Sequence, residues 1–141
     1  MVSDFLMEPI KVIDKLAWIF IKDKKILSTK SKGKDTYYIP GGKREGNETD
    51  LEALKREIKE ELDVDLVDST IKFLGKFSAQ AHGKSGGIIV QMTCYTGDYK
   101  GELKPSSEIE EMVWFNHKDK VKSSPVDNII FDYLKEQKLI D

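Results

Sequence analysis

Glu57, Glu60 and Glu61 stand three and four residues apart, with Arg56 beside the first of them and Pro40-Gly41-Gly42 upstream. On a helix these spacings bring the three carboxylates to one face, leaning back toward the helix N-terminus and so toward the glycine turn. At about 6 Å each like-charge pair costs roughly 0.7 kcal/mol in water and ~3 kcal/mol at an effective dielectric of about 20. Such a patch resists folding unless a cation relieves it, and a divalent ion held by oxygen ligands is the chemistry that the pattern suits. A merely solvated acidic face has the same composition, so the triad informs only together with its surroundings.

Those surroundings describe how the patch would be held. Leu51, Leu54, Ile58 and Leu62 step by three, four and four, an apolar stripe on a different side of the helix from the acids. Thr49 with Glu52 three residues on has the form of a capping box, which starts the helix at about Asp50. Pro40-Gly41-Gly42 is a turn signal that lets backbone approach a ligand without side-chain obstruction.

Taken together, Gly42, Glu48, Arg56, Glu57, Ile58, Glu60, Glu61, Asp63 and Val64 resemble the signature box of the Nudix hydrolases, with one departure. That signature runs glycine, five residues, Glu, seven residues, then Arg-Glu-apolar-x-Glu-Glu-x-Gly-apolar. Asp63 stands where the family has glycine, just past the helix end, where the chain turns through a left-handed conformation. Asp enters that region at a cost of ~1 kcal/mol, so the chemistry should survive. Arg44 and Arg56 are the two arginines among 23 basic residues, so a planar bidentate donor at the box position stands out from a lysine background. In the family this arginine pairs with the earlier box glutamate, here Glu48, and steadies the acids.

Composition bounds the rest. The 141 residues are 39% hydrophobic and 34% charged, which suits one domain around one core, and the whole of 1–141 is read as a single Nudix domain. The net charge of −2 gives no general attraction to nucleic acid, and no stable nucleic-acid partner is expected. The longest apolar run, Leu16 to Ile21, is too short to span a bilayer, and the N-terminus, with Asp4 and Glu8, lacks a signal-type apolar segment; the expectation is a cytoplasmic protein. Cys94 is the single cysteine and lies in an apolar run, the setting of a buried packing residue.

A first hairpin is predicted from Lys15–Lys22 and Ile26–Lys30 around Asp23-Lys24-Lys25. Further strands are predicted at Ile71–Ala81, Ile88–Tyr95 and Met112–Phe115. A closing helix runs from about Pro125 to Lys138, docking through Ile129, Ile130, Tyr133 and Leu134. This order fits the α/β (α+β) fold that the resemblance implies, an α/β/α sandwich with a mixed sheet between the box helix and the C-terminal helix.

The resemblance also implies the reaction: water attacks a phosphorus of a diphosphate linkage in a nucleoside diphosphate joined to another group. It implies Mg²⁺, with Mn²⁺ as a substitute, held by Glu57, Glu60 and Glu61 with a carbonyl from Gly41 or Gly42. For the general base it offers a box glutamate or an acid of a later loop. Glu108 lies six residues before Trp114, and Glu110 and Glu111 are its rivals. Lys43 and Arg44 beside the glycine turn are candidates to meet phosphate, and Tyr37 or Tyr38 to stack on a base. His82, in the loop His82–Gly87, is read as an exposed structural histidine more readily than as a substrate contact.

Substrate motifs outside the box are mostly absences. Gln80 stands near where ADP-ribose hydrolysing members have proline; neither the tyrosine of the dinucleoside polyphosphate group nor the Ser-Gln-Pro-Trp-Pro-Phe-Pro run of the NADH type is present. These lean toward a (d)NTP or related small nucleotide. Asn128 does not align with the asparagine that reads oxidised guanine in MutT-type members. A homodimer is compatible with this reading, and a catalytically idle nucleotide-sensing or protein-interaction module is the alternative function.

Overall fold

The computed structural model describes residues 11–81 and 87–141; His82 and the loop residues that follow it, through 86, lie outside them. The chain passes through β1 (Lys11–Trp18), β2 (Ile21–Lys22), β3 (Lys25–Ser31), β4 (Tyr37–Tyr38), β5 (Gly41–Lys43), α1 (Asp50–Leu62), β6 (Asp65–Leu66) and β7 (Lys72–Gln80). It continues through β8 (Ile88–Thr96), β9 (Tyr99–Lys100), β10 (Ile109–Phe115) and α2 (Pro125–Glu136). Short 3₁₀ turns precede β7 at Asp68–Thr70 and α2 at His117–Lys122.

β1 is the axis of the molecule. It pairs in parallel with β8, from Lys11 opposite Ile88 to Trp18 opposite Tyr95, and antiparallel with β5, where Leu16 faces Gly42. With β7 these strands form a mixed sheet of order β5-β1-β8-β7. Because side chains alternate across a strand, Leu16 and Trp18 join Ala53, Leu54, Ile58 and Leu62 of α1 on one face. Ala17 and Ile19 join Val126, Ile130, Phe131 and Leu134 of α2 on the other. A strand covered on both faces needs no polar alternation, which is why Leu16 to Ile21 reads as one apolar run. The result is the expected helix–sheet–helix sandwich, and Cys94 is buried within it.

The predicted first hairpin is corrected. Its proposed first strand, Lys15–Lys22, is broken at Ile19-Phe20: the Ile19 amide donates to Tyr95 in the mixed sheet, whereas the Phe20 carbonyl accepts from Leu27 of β3. The chain thus crosses from one sheet to another, and only β2 turns back on β3, through Asp23 and Lys24, both at positive φ. This second sheet has the order β10-β3-β2, with β4 also on β3. An apolar run does not encode which neighbour each of its halves will pair with.

Both helix boundaries follow local chemistry. Thr49 Oγ1 accepts from the Glu52 amide while the Glu52 carboxylate accepts from the Thr49 amide, and Asp63 closes α1 at φ 57°, the left-handed cap. Ser124 caps α2 and Pro125 opens it. On α2, Ile129 is 41% exposed while Val126 and Phe131 are buried, so the docking stripe lies one step around the helix from the expected one.

Candidate active site

The glycine turn and α1 are fitted to each other atom by atom. Gly41 lies at φ +146°, and a Cβ there would meet the Leu16 carbonyl of β1 at 1.9 Å. A Cβ at Gly42 would fall 2.4 Å from the Glu57 carboxylate, so the absence of a side chain is what makes room for that acid. The Gly41 amide in turn donates to Glu61 Oε1 at 3.1 Å. Two of the three box acids are therefore seated directly against the turn.

Arg56 organises the other side of the patch. Its Nε and Nη2 form a two-pronged pair with Glu48 at 2.7 and 2.9 Å, its Nη2 also reaches the Lys43 carbonyl at 3.0 Å, and its Nη1 lies 3.3 Å from Glu57 and 3.5 Å from Glu60. Paired with Arg56 and accepting from the Glu45 amide, the Glu48 carboxyl is held down at about 2. Glu57 is pushed up by burial, against the opposing pull of Arg56. Glu61 is pushed up to about 8 because its carboxyl is buried, with the charges of Glu57 and Glu60 adding to the effect and the Gly41 amide and Lys15 opposing it.

Glu57, Glu60 and Glu61 line one cavity of about 200 Å³ together with Ser31, Ser107, Glu108 and Ile109. Glu108 enters because its loop is bonded to the end of α1: Lys104 and Ser106 donate to the Leu62 and Glu61 carbonyls, and the Glu108 carbonyl accepts from Lys32. Its rivals are occupied elsewhere. Glu110 pairs with Lys30 at 2.9 Å, and Glu111 accepts from the Tyr37 hydroxyl. Ser31 and Ser107 carried no sequence signal, since a single serine at a strand end or loop is unremarkable until the fold brings it to the acids.

A second, more apolar pocket of about 130 Å³ lies across the glycine turn, lined by residues including Lys15, Tyr38, Lys43, Gln80 and Ser124. Tyr38 and Lys43, both singled out in the sequence, are thus brought together here, with Lys15 Nζ 5.4 Å from the centre of the Tyr38 ring. Lys15 lines this pocket, and its charge opposes the upward shifts of both Glu61 and Asp127. Tyr37 does not share that pocket; its ring packs against Phe115. Arg44 is the clearest departure from expectation. Each of its three guanidinium nitrogens is engaged inside the protein, by Asp14, Asp50 and the Glu48 carbonyl, the bonding of a structural arginine. Asn128 likewise spends its amide on the carbonyls of Lys120, Ser123 and Ser124.

The NUDIX domain model matches residues 15–134, from the middle of β1 almost to the end of α2. The chain belongs to the NUDIX family. It is a hydrolase of the kind that acts on phosphorus anhydrides. Solved structures repeat the fold of this NUDIX chain. It resembles the Escherichia coli ORF135 protein, with a TM-score of 0.71, 23% identity and 92% of each chain covered. It also resembles the MutT protein of Methanosarcina mazei, with a TM-score of 0.72, 18% identity and coverage of 94% of this chain and 98% of that one. A bifunctional NMN adenylyltransferase/ADP ribose pyrophosphatase from Francisella tularensis, solved with AMP and a Mn ion, aligns over 96% of this chain and 45% of its own, with a TM-score of 0.65 and 22% identity. No curated protein matches the chain.

Proposed function

We propose that this NUDIX chain, as one domain over 1–141, is a Mg²⁺-dependent pyrophosphohydrolase of a (d)NTP or related small nucleotide. The observation that carries the reading is the single cavity shared by Glu57, Glu60, Glu61 and Glu108. The donor set is all oxygen, which suits Mg²⁺ and also Mn²⁺. The crowding of Glu57 and Glu61 against a glycine turn supports an ion there, since their carboxyls resist ionising without one. Among the described residues no three acid, histidine or cysteine side chains cage an ion by themselves. Mg²⁺ tolerates this, because it keeps waters and takes substrate phosphate oxygens into its shell.

In this reading Glu57, Glu60 and Glu61 hold the metal, with the Gly42 carbonyl beside them, and Arg56 fixes two of those acids. When bound, the metal neutralises phosphate charge and lowers the pKa of a coordinated water. Glu108 takes a proton from the attacking water as its oxygen bonds to phosphorus and the anhydride P–O bond breaks. Lys15 and Lys43 meet the phosphates, and Tyr38 borders the pocket that receives the nucleoside. The (d)NTP preference rests on the missing substrate motifs noted above.

The test is a panel of nucleotides assayed in Mg²⁺ with the unmodified protein and with Glu60→Gln and Glu61→Gln. Hydrolysis should fall by ~10²-fold or more in both variants. The unmodified protein should also gain thermal stability on adding Mg²⁺, by about 2.7 kcal/mol at a hundredfold excess over Kd, and both variants should lose that gain. Undiminished hydrolysis in either variant would sink the assigned ligands. Silence of the unmodified protein on the whole panel would favour the idle, nucleotide-sensing alternative.

A further inference from the structure

Asp14 on β1, Asp50 at the start of α1 and the loop that carries Glu48 belong to three separate parts of the fold, and one side chain joins them. Arg44 Nε donates to Asp14 at 2.8 Å, Nη2 to Asp50 at 2.6 Å and Nη1 to the Glu48 carbonyl at 3.0 Å. Its own amide donates to the Asp14 carbonyl, extending the β1–β5 pairing. From the far side, the Tyr95 hydroxyl of β8 donates to the other Asp50 oxygen at 2.5 Å. Asp50 lies in the first turn of α1, whereas Glu57 and Glu60 lie about two to three turns on, and Glu48 with Arg56 spans that gap.

We propose that Arg44 is a positioning residue, which anchors the Glu48 loop to β1 and α1 so that the Glu48–Arg56 pair holds Glu57 and Glu60 in place. The inference rests on the metal-ligand role given above to those acids. One planar fork thus closes the loop on itself at the Glu48 carbonyl and ties it to β1 and to α1, so shifting the loop breaks the bonds to both Asp14 and Asp50. Lysine at this position keeps the charge but, as a compact head on a flexible stem, cannot span the three acceptors. The chain's strong preference for lysine elsewhere makes arginine at 44 and at 56 the two exceptions, and these are the two ends of this one network.

Arg44→Lys and Tyr95→Phe test it, the second removing one outer bond without touching the arginine. Arg44→Lys should fold, by circular dichroism, and should lower kcat ~10–100-fold, the usual loss for groups that orient metal ligands. KM for the nucleotide should stay within about twofold, and Mn²⁺ titrated by electron paramagnetic resonance should bind more weakly in the same proportion as kcat falls. Tyr95→Phe should move both readouts the same way by a smaller factor. In a Glu48→Gln background, Arg44→Lys should cost less than about threefold further, since both act through one chain of contacts. A raised KM with kcat unchanged would show instead that Arg44 meets phosphate, and would overturn the proposal. Full additivity with Glu48→Gln, or wild-type kcat and Mn²⁺ affinity in folded Arg44→Lys, would overturn it too. Should the unmodified protein hydrolyse nothing, the hydrolase reading fails, and Mn²⁺ affinity alone still judges the anchor.

Discussion

A carboxylate and a missing methyl decide the site at the scale of single residues. Gly42→Ala inserts a Cβ where the Glu57 carboxylate sits, at 2.4 Å, so the acid must swing away while the short β5 pairing with β1 remains. Hydrolysis should drop by ~10-fold or more with a small loss of stability, a split read by kcat beside the thermal midpoint. Helical spacing shows in the sequence that Glu57, Glu60 and Glu61 share a face beside Arg56, whereas their proposed role comes from the resemblance that the whole box carries. Glu108 was legible only as one of three nearby acids. What separates it from Glu110 and Glu111 is the engagement of those two by Lys30 and Tyr37, which no spacing in the chain announces. The partners of Arg44 were hidden for the same reason: a basic residue beside a glycine turn invites phosphate, and only the fold supplies Asp14 and Asp50 beside it.

At the scale of elements, α1 is the part whose limits local chemistry dictates. Its capping box and its left-handed end at Asp63 both lie where the residue types require them. Asp63 bears the strain of φ 57° without glycine's freedom, and its contact with Lys59 at 3.5 Å is exposed. Asp63→Gly should therefore raise stability by about 0.5–1 kcal/mol in urea titration and leave kcat unchanged. The strands were less legible. β7, β8 and α2 fall close to their predicted ranges, but Lys15–Lys22 divides at Ile19-Phe20 because its two ends hydrogen-bond to different sheets. The α2 stripe shifted similarly. Helical period locates an apolar face only approximately when Ile129, Ile130 and Phe131 are consecutive.

For the molecule as a whole, Asp127 is the buried acid that links distant parts. It sits at the start of α2, fully buried, and its Oδ2 accepts from the Ile39 amide at 3.0 Å, just before the glycine turn. Among the described residues its Oδ1 has no hydrogen-bond partner, and burial raises its pKa from 3.8 to about 7 against the pull of the Ile39 amide and Lys15. The folded state thus binds this proton more tightly than the unfolded chain. Its contribution is complete below about pH 4, declines as pH rises and is gone above about 7, a span of up to ~4 kcal/mol. Asp127→Asn should flatten the loss of stability between pH 5 and pH 8 measured by urea unfolding without metal; an unchanged slope would refute the assignment. By itself the sequence determined the acidic box, the helix that carries it with both its ends, and the resemblance to a hydrolase family, because these depend on neighbours within a few residues. The tertiary structure decided what lies across from the box. The parallel register of β1 with β8, the loop that delivers Glu108, the partners of Arg44 and the burial of Asp127 join residues far apart in the chain, and such contacts are set by packing that no local pattern encodes.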